Sequence, residues 1–316
     1  MIDFRYHLVS VIAIFLALAL GIVVGTTALN GGIVDNLKSS NKQVISDKRN
    51  LESAVQDLRT QVTRQDDVAA AVAAKAVSGR LSGQRVVILT APGASTDGID
   101  ALRTLISQAG GTPSGLVRIK PDLLDPAQGQ VLDDLVASVA PPGVTLPEGT
   151  PTDRAATVLA AALMTTTGAK GISTDAAAKI LGGFTSADFI DLQRDPQAGS
   201  SAATLAVLLT DGGGKALNDA GKAVQRSEIV LARALDAQSE GLVVAGPDSS
   251  ADIGGLIAAV RDDDGLSDSV TTVDTAETST GRLVVVLALA EQASGGAGRY
   301  GQGPGARSGA PAPAGK

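Results

Sequence analysis

RVVILTAPGASTDGIDALRTLI, residues 85–106, decides how the body of this chain folds. Arg85 to Thr90 is a short β-branched run; Pro92 and Gly93 are turn residues; Ile99, Leu102, Leu105 and Ile106 then recur at helical spacing. Strand, loop and helix in that order open a parallel α/β unit. The pattern returns twice. Residues 204–210 (TLAVLLT) lead through Asp211-Gly212-Gly213-Gly214 into a helix carrying Val224, Ile229, Leu231 and Leu235. Residues 242–245 (LVVA) lead through Gly246-Pro247-Asp248 into Ile253, Leu256, Ile257 and Val260. Segments 130–140, 154–166 and 174–192 read as helices covering the sheet, and 271–273 and 283–289 as its last strands. The reading is one Rossmann-like open sheet over 84–293, with right-handed crossovers between parallel strands.

Open α/β sheets bind ligands outside the carboxyl ends of their strands. The three glycine-bearing loops should therefore meet, with Gly93, Asp211, Gly212, Gly213, Gly246 and Asp248 as the candidate lining of a crevice. Glycine is equally what a tight strand-to-helix turn requires. Asp211-Gly212-Gly213-Gly214-Lys215 matches neither G-x-x-x-x-G-K-[ST] nor G-x-G-x-x-G, the two phosphate-cradling patterns.

Composition narrows the chemistry. A net charge of -7 over 316 residues argues against nucleic acid, which needs a basic face, and 2% aromatic content leaves few rings for base stacking. That aromatic poverty also speaks against an outer-membrane barrel with its aromatic girdles. With no cysteine there is no disulfide frame and no thiolate metal site. The single histidine, His7, lies far in sequence from the α/β body, so no Ser/His/Asp or Cys/His set is available there, and no enzyme activity or cofactor is expected. Asp262-Asp263-Asp264 could hold a hard cation, although an acidic run at a helix end is ordinarily a solvated surface.

Upstream, residues 8–29 (LVSVIAIFLALALGIVVGTTAL) follow a short flank, 1–7, and carry no charge. About 20 apolar residues suffice to cross a bilayer, and a span in lipid must be helical to pair its own backbone. A cleaved signal peptide ending at Thr26-Thr27-Ala28 is the competing reading, but its apolar core would be only ~7–15 residues long. A retained anchor, with the lipid bilayer as partner, fits better. Lys38, Lys42, Lys48 and Arg49 follow the span while Arg5 precedes it, so charge alone would place the body in the cytoplasm.

After a hinge at Asn30-Gly31-Gly32, residues 30–78 carry a seam: Val34, Leu37, Asn41, Val44, Lys48, Leu51, Val55, Leu58, Val62, Gln65, Ala69, Val72 and Ala76 alternate steps of three and four. That is a heptad series for a left-handed coiled coil, with polar Asn41 and Lys48 at core positions favouring fixed register and a low oligomer number. Two copies anchored at the same end would pair in parallel, as a homodimer whose stalk is about 65 Å long at about 1.5 Å per residue. A single amphipathic helix folded onto the body is the alternative. At the other end, residues 294–316 (SGGAGRYGQGPGARSGAPAPAGK) are too rich in glycine, proline and alanine to bury much apolar area, and read as disordered.

The start, with Arg5, His7, Val9 and Ser10 as R-x-H-x-V-S, and the ending G-x-Y-G-x-G, with Gly298, Tyr300, Gly301 and Gly303, together resemble the actinobacterial copper transporter family, typified by proteins like mycobacterial copper transport protein B. The resemblance runs through the whole chain in order. It implies an envelope protein of copper efflux and homeostasis, sometimes channel-forming, with its soluble domain outside the cytoplasm. A corynebacterial branch implies instead a septal scaffold that works with an envelope membrane partner in controlling cell-wall hydrolysis. Copper association is implied by the resemblance alone: Cu(I) prefers thiolate and thioether, and the chain offers no cysteine, one histidine and two methionines, Met1 and Met164.

Overall fold

Helix α1 runs over Phe4–Val77 in a computed structural model that describes residues 4–168, 171–195, 199 and 201–312, with backbone alone at 4–5 and 27–36. The hinge read at Asn30-Gly31-Gly32 falls inside the span of α1, and its side chains lie outside the described residues. Two compact units divide the chain at Arg64/Gln65. In the first, Tyr6–Thr26 is a 21-residue apolar stretch with its side chains uncovered, and the seam residues Leu37, Val44, Leu51, Leu58 and Val62 are all exposed.

In the second unit β1 is Arg85–Thr90, α2 Ile99–Gln108, β2 Thr112–Ile119, α3 Pro121–Leu124, α4 Gly129–Val139, α5 Pro151–Leu163 and α6 Thr174–Ser186. Then follow β3 Ile190–Arg194, β4 Leu205–Leu209, α7 Asp219–Ala237, β5 Gly241–Ala245, α8 Leu256–Asp262, β6 Thr271–Val273, α9 Ser279–Gln292 and β7 Arg299–Tyr300. The sheet has seven strands in the order β3-β2-β1-β4-β5-β6-β7. All neighbours are parallel except the β2–β3 edge pair. The chain moves one way from β1 to β2 and the other way from β4 to β5, so the strand order reverses between β1 and β4.

Side-chain alternation splits the core into two layers. Val87, Leu89, Ala206, Leu208, Leu242 and Val244 face a cluster with α4, α5, α6, α7 and α8. Val86, Ile88, Leu205, Val207, Val243 and Ala245 face α2, α9 and the last turn of α1, where Val77 is fully buried. Burial on both faces is why the central strands read as unbroken apolar runs rather than alternating ones.

The α/β body with a parallel-dominated sheet and one apolar N-terminal helix is as expected; four details are corrected. Residues 283–289 are not a strand but the heart of α9. Thr278 Oγ1 accepts from Gly281 N at 2.9 Å and caps the helix, and the run is buried nearly all round because α9 is pressed between sheet and α2. The helix read over 174–192 stops at Ser186, and its last residues belong to edge strand β3. Strand β2 escaped notice because Thr112, Pro113, Ser114 and Gly115 open it with turn residues. Gly115 is needed there, since a Cβ would come within 2.8 Å of the Gln193 carbonyl on β3.

The fourth correction is the tail, which is tied into the body by hydrogen bonds as far as Ser308 rather than disordered. β7 pairs with β6, Thr272 opposite Arg299 and Val273 opposite Tyr300, and Tyr300 is buried beneath it. Its hydroxyl donates to Glu291 Oε2 at 2.6 Å. The fastening is a buried ion pair: Arg261 Nη2 lies 2.8 Å from Asp274 Oδ2, with side chains 2% and 0% exposed. Asp274 Oδ1 accepts from Gln302 N at 2.7 Å and Gly303 N at 3.2 Å, while Arg261 donates to the carbonyls of Pro304 at 2.6 Å and Tyr300 at 3.1 Å. Gly301 has φ 130° and no room for a Cβ against Asp274, and a Cβ on Gly298 would overlap the Tyr300 ring. The G-x-Y-G-x-G ending is thus a clasp: the segment cannot make a core of its own, and completes one that is already there.

Candidate functional site

The loops leaving β1, β4, β5 and β6 border a cavity of about 310 Å³ at the carboxyl edge of the sheet, beside the reversal between β1 and β4. Of the six crevice candidates, Gly93, Asp211, Gly212 and Gly246 line it. Gly93 has φ 83°, and a Cβ there would stand 3.0 Å from Asp211 Oδ2, so the first loop closes directly onto that carboxylate. Gly213 and Asp248 are not among the lining residues. Gly213 N donates to Ser249 O at 2.8 Å and Gly214 N to Ile253 O at 2.9 Å. With those amides taken, the glycine run packs on the 248–251 turn and cannot cradle a phosphate. Asp248 Oδ1 accepts from Ser249 N at 2.7 Å within that turn.

Arg282, Gly98, Ala276, Glu277 and Val285 also line the cavity, and sequence reasoning missed them. They come from the starts of α2 and α9, and α9 was read as a strand. The signal was present: Thr278 ahead of an apolar run longer than a strand is a helix start. Burial raises the Asp211 carboxyl above the ordinary carboxylate range. Glu228 on α7 is pushed up to about 7, first by burial and then by the charge of Asp211. The two carboxyls are coupled, the charge of Asp211 making that of Glu228 harder to form.

In the acidic run 262–264, Asp262 and Asp264 are exposed and Asp263 is tied into the fold. Asp263 Oδ1 accepts from Gly265 N and Leu266 N, both at 3.0 Å, and Oδ2 pairs with Arg233 at 2.9 Å.

Compared with known proteins, residues 1–311 match the family described as "Copper transport outer membrane protein, MctB". The chain belongs to that family. Copper transporter MctB of Mycobacterium tuberculosis is 30% identical over 320 residues, covering 98% of each chain. The protein of the same description in Mycobacterium leprae is 28% identical over 323 residues, again 98% of each. The MctB family match thus takes in the apolar helix, the seam, the cavity and nearly all of the clasped tail.

Copper is this family's cargo, and the described residues do not offer it an evident seat. Among them no three His, Cys, Asp or Glu side chains converge. Met164 is 2% exposed and packed in the apolar layer under α5, where its thioether reaches no second donor of the soft kind Cu(I) prefers.

Proposed function

We propose that this chain is a membrane-anchored envelope component of copper efflux and homeostasis, single-pass, with the α/β body on the extracytoplasmic side. The observation that carries the reading is the family match over 1–311, joined by curated relatives that cover 98% of the chain and are described as copper transporters. The 21 apolar residues Tyr6–Thr26 support the anchor by length. One helix does not enclose a path for an ion, and the strands lie in a sheet covered by helices on both faces. The chain therefore acts on copper as part of an assembly. Deleting the gene should raise cell-associated copper, measured by mass spectrometry, and copper sensitivity, both reversed by the full chain. Unchanged copper content in the deletion strain would remove the proposal.

The exposed seam favours a second copy as one member of that assembly. Leu37 is 71% exposed, Leu51 67% and Leu58 61%, and a helix keeps such a stripe in water only where something else covers it. Leu37, Asn41, Val44, Leu51, Val55, Leu58 and Val62 form the contact of a parallel homodimer in this reading, with Asn41 setting register. Leu51→Lys with Leu58→Lys should convert dimer to monomer in detergent by analytical ultracentrifugation, with the melting of the α/β body unmoved. A double variant that sediments as a dimer would refute the pairing. No observation favours the septal scaffold.

A further inference from the structure

The cavity beside the β1/β4 reversal carries an arginine, Arg282, in its wall to which the copper reading gives no role. We propose that it binds a small hydroxylated anion, a sugar bearing a carboxylate or phosphate, with the charged group against Arg282 and the start of α2.

Arg282 Nη1 donates to Glu277 O at 2.7 Å and Nη2 to Ser279 Oγ at 3.1 Å, both neutral acceptors. No carboxylate among the described residues stands within ion-pair distance of this half-buried guanidinium. A partly desolvated cation without a counter-charge is a ready partner for one, and guanidinium suits carboxylate and phosphate by geometry. The guanidinium lies over Gly98, where a Cβ would come within 2.7 Å of Nη1. Gly98 is the N-cap of α2, at φ 81°, and provides no side-chain cap to that ten-residue helix. Cation and helix start therefore add their fields at one point of the cavity wall.

The acids Asp97, Asp211 and Glu277 line the same cavity; all three residues are exposed, with the Asp211 carboxyl partly desolvated. Water and salt screen such charges at the rim, where they serve as acceptors for ligand hydroxyls. Ile99, Leu102 and Val285 supply a buried apolar floor. Among the described residues no aromatic side chain lines the cavity to stack a nucleobase, and the volume is at the small end for ligand sites. A monosaccharide derivative fits both facts better than a nucleotide does.

The test is calorimetric titration of the full chain in detergent micelles with glucuronate, glucose 6-phosphate, glucose and inorganic phosphate. Either or both anionic sugars should bind, with glucose and phosphate each weaker by about tenfold or more, the value of one good charge-assisted contact. Arg282→Gln should weaken the anionic sugars by about tenfold or more while leaving the unliganded melting temperature in place. Should Arg282→Gln melt early, Ala276→Leu, which fills the cavity, is expected to abolish binding of the same sugars. Silence from both anionic sugars, equal binding of glucose or bare phosphate, or binding retained in the variant that folds would each overturn the proposal.

Discussion

Replacing Asp274 by alanine should destabilise the α/β body by about 3–5 kcal/mol, because it leaves the Arg261 guanidinium buried without its counter-charge. Three separate costs converge on that position. The ion pair at 2.8 Å is lost between side chains that are 2% and 0% exposed. The amides of Gln302 and Gly303 lose their acceptor. The tail then keeps the short β7 pairing, the Tyr300–Glu291 bond and the donations of a now uncompensated Arg261 to the Tyr300 and Pro304 carbonyls. For a unit of this size the loss corresponds to about 6–20 °C in melting temperature. Limited proteolysis should cut the variant near residues 299–307 under conditions that spare the wild type. Adding Arg261→Met should recover part of the loss, since an apolar pair of similar bulk avoids the stranded charge. A single variant that melts with the wild type and resists protease would show that the clasp contributes nothing.

The clasp also explains what could and could not be seen in the sequence. Repeated strand, glycine loop and helix were legible at 85–106, 204–235 and 242–260 because each unit carries its own period and its own punctuation. Their meeting at one sheet edge followed from the rule for parallel sheets, so four of the six crevice candidates line the cavity. Failures arose where a segment's structure is set by distant partners. Glycine-rich 294–312 has little apolar area to offer, yet Tyr300 and three glycines fit a site built by Arg261 and Asp274, far upstream. Residues 283–289 are apolar enough for a buried strand or a buried helix, and periodicity does not separate these. The Thr278 cap does. Missing α9 cost the reading Arg282, a cation of the cavity lining. Strand β2 opens with turn residues and so read as a connection, while edge strand β3 carries the charges Asp191 and Arg194 and its first residues read as the end of a helix.

The second large effect is a pH dependence centred on Glu228. Its carboxyl, at about 4.5 when free, is pushed up to about 7 in the fold by burial and by Asp211. Between those two values the folded chain holds a proton that the unfolded chain has released, so stability falls as pH rises through the interval and levels off above it. A shift of that size corresponds to at most about 3 kcal/mol at one unit per 1.36 kcal/mol, and less where water reaches the partly exposed carboxyl. Glu228→Gln keeps the shape of the protonated acid and cannot ionise. Near pH 5 the variant should match the wild type in chemical denaturation of the full chain in micelles; at pH 8 it should be more stable by about 1–3 kcal/mol. Asp211→Asn acts on the same pair from the other side. It removes the charge against which Glu228 ionises, and so should shift the wild-type decline to lower pH. Parallel pH profiles for wild type and Glu228→Gln would mean that Glu228 ionises in the fold as it does in water, and that its pairing with Asp211 is not coupled to folding.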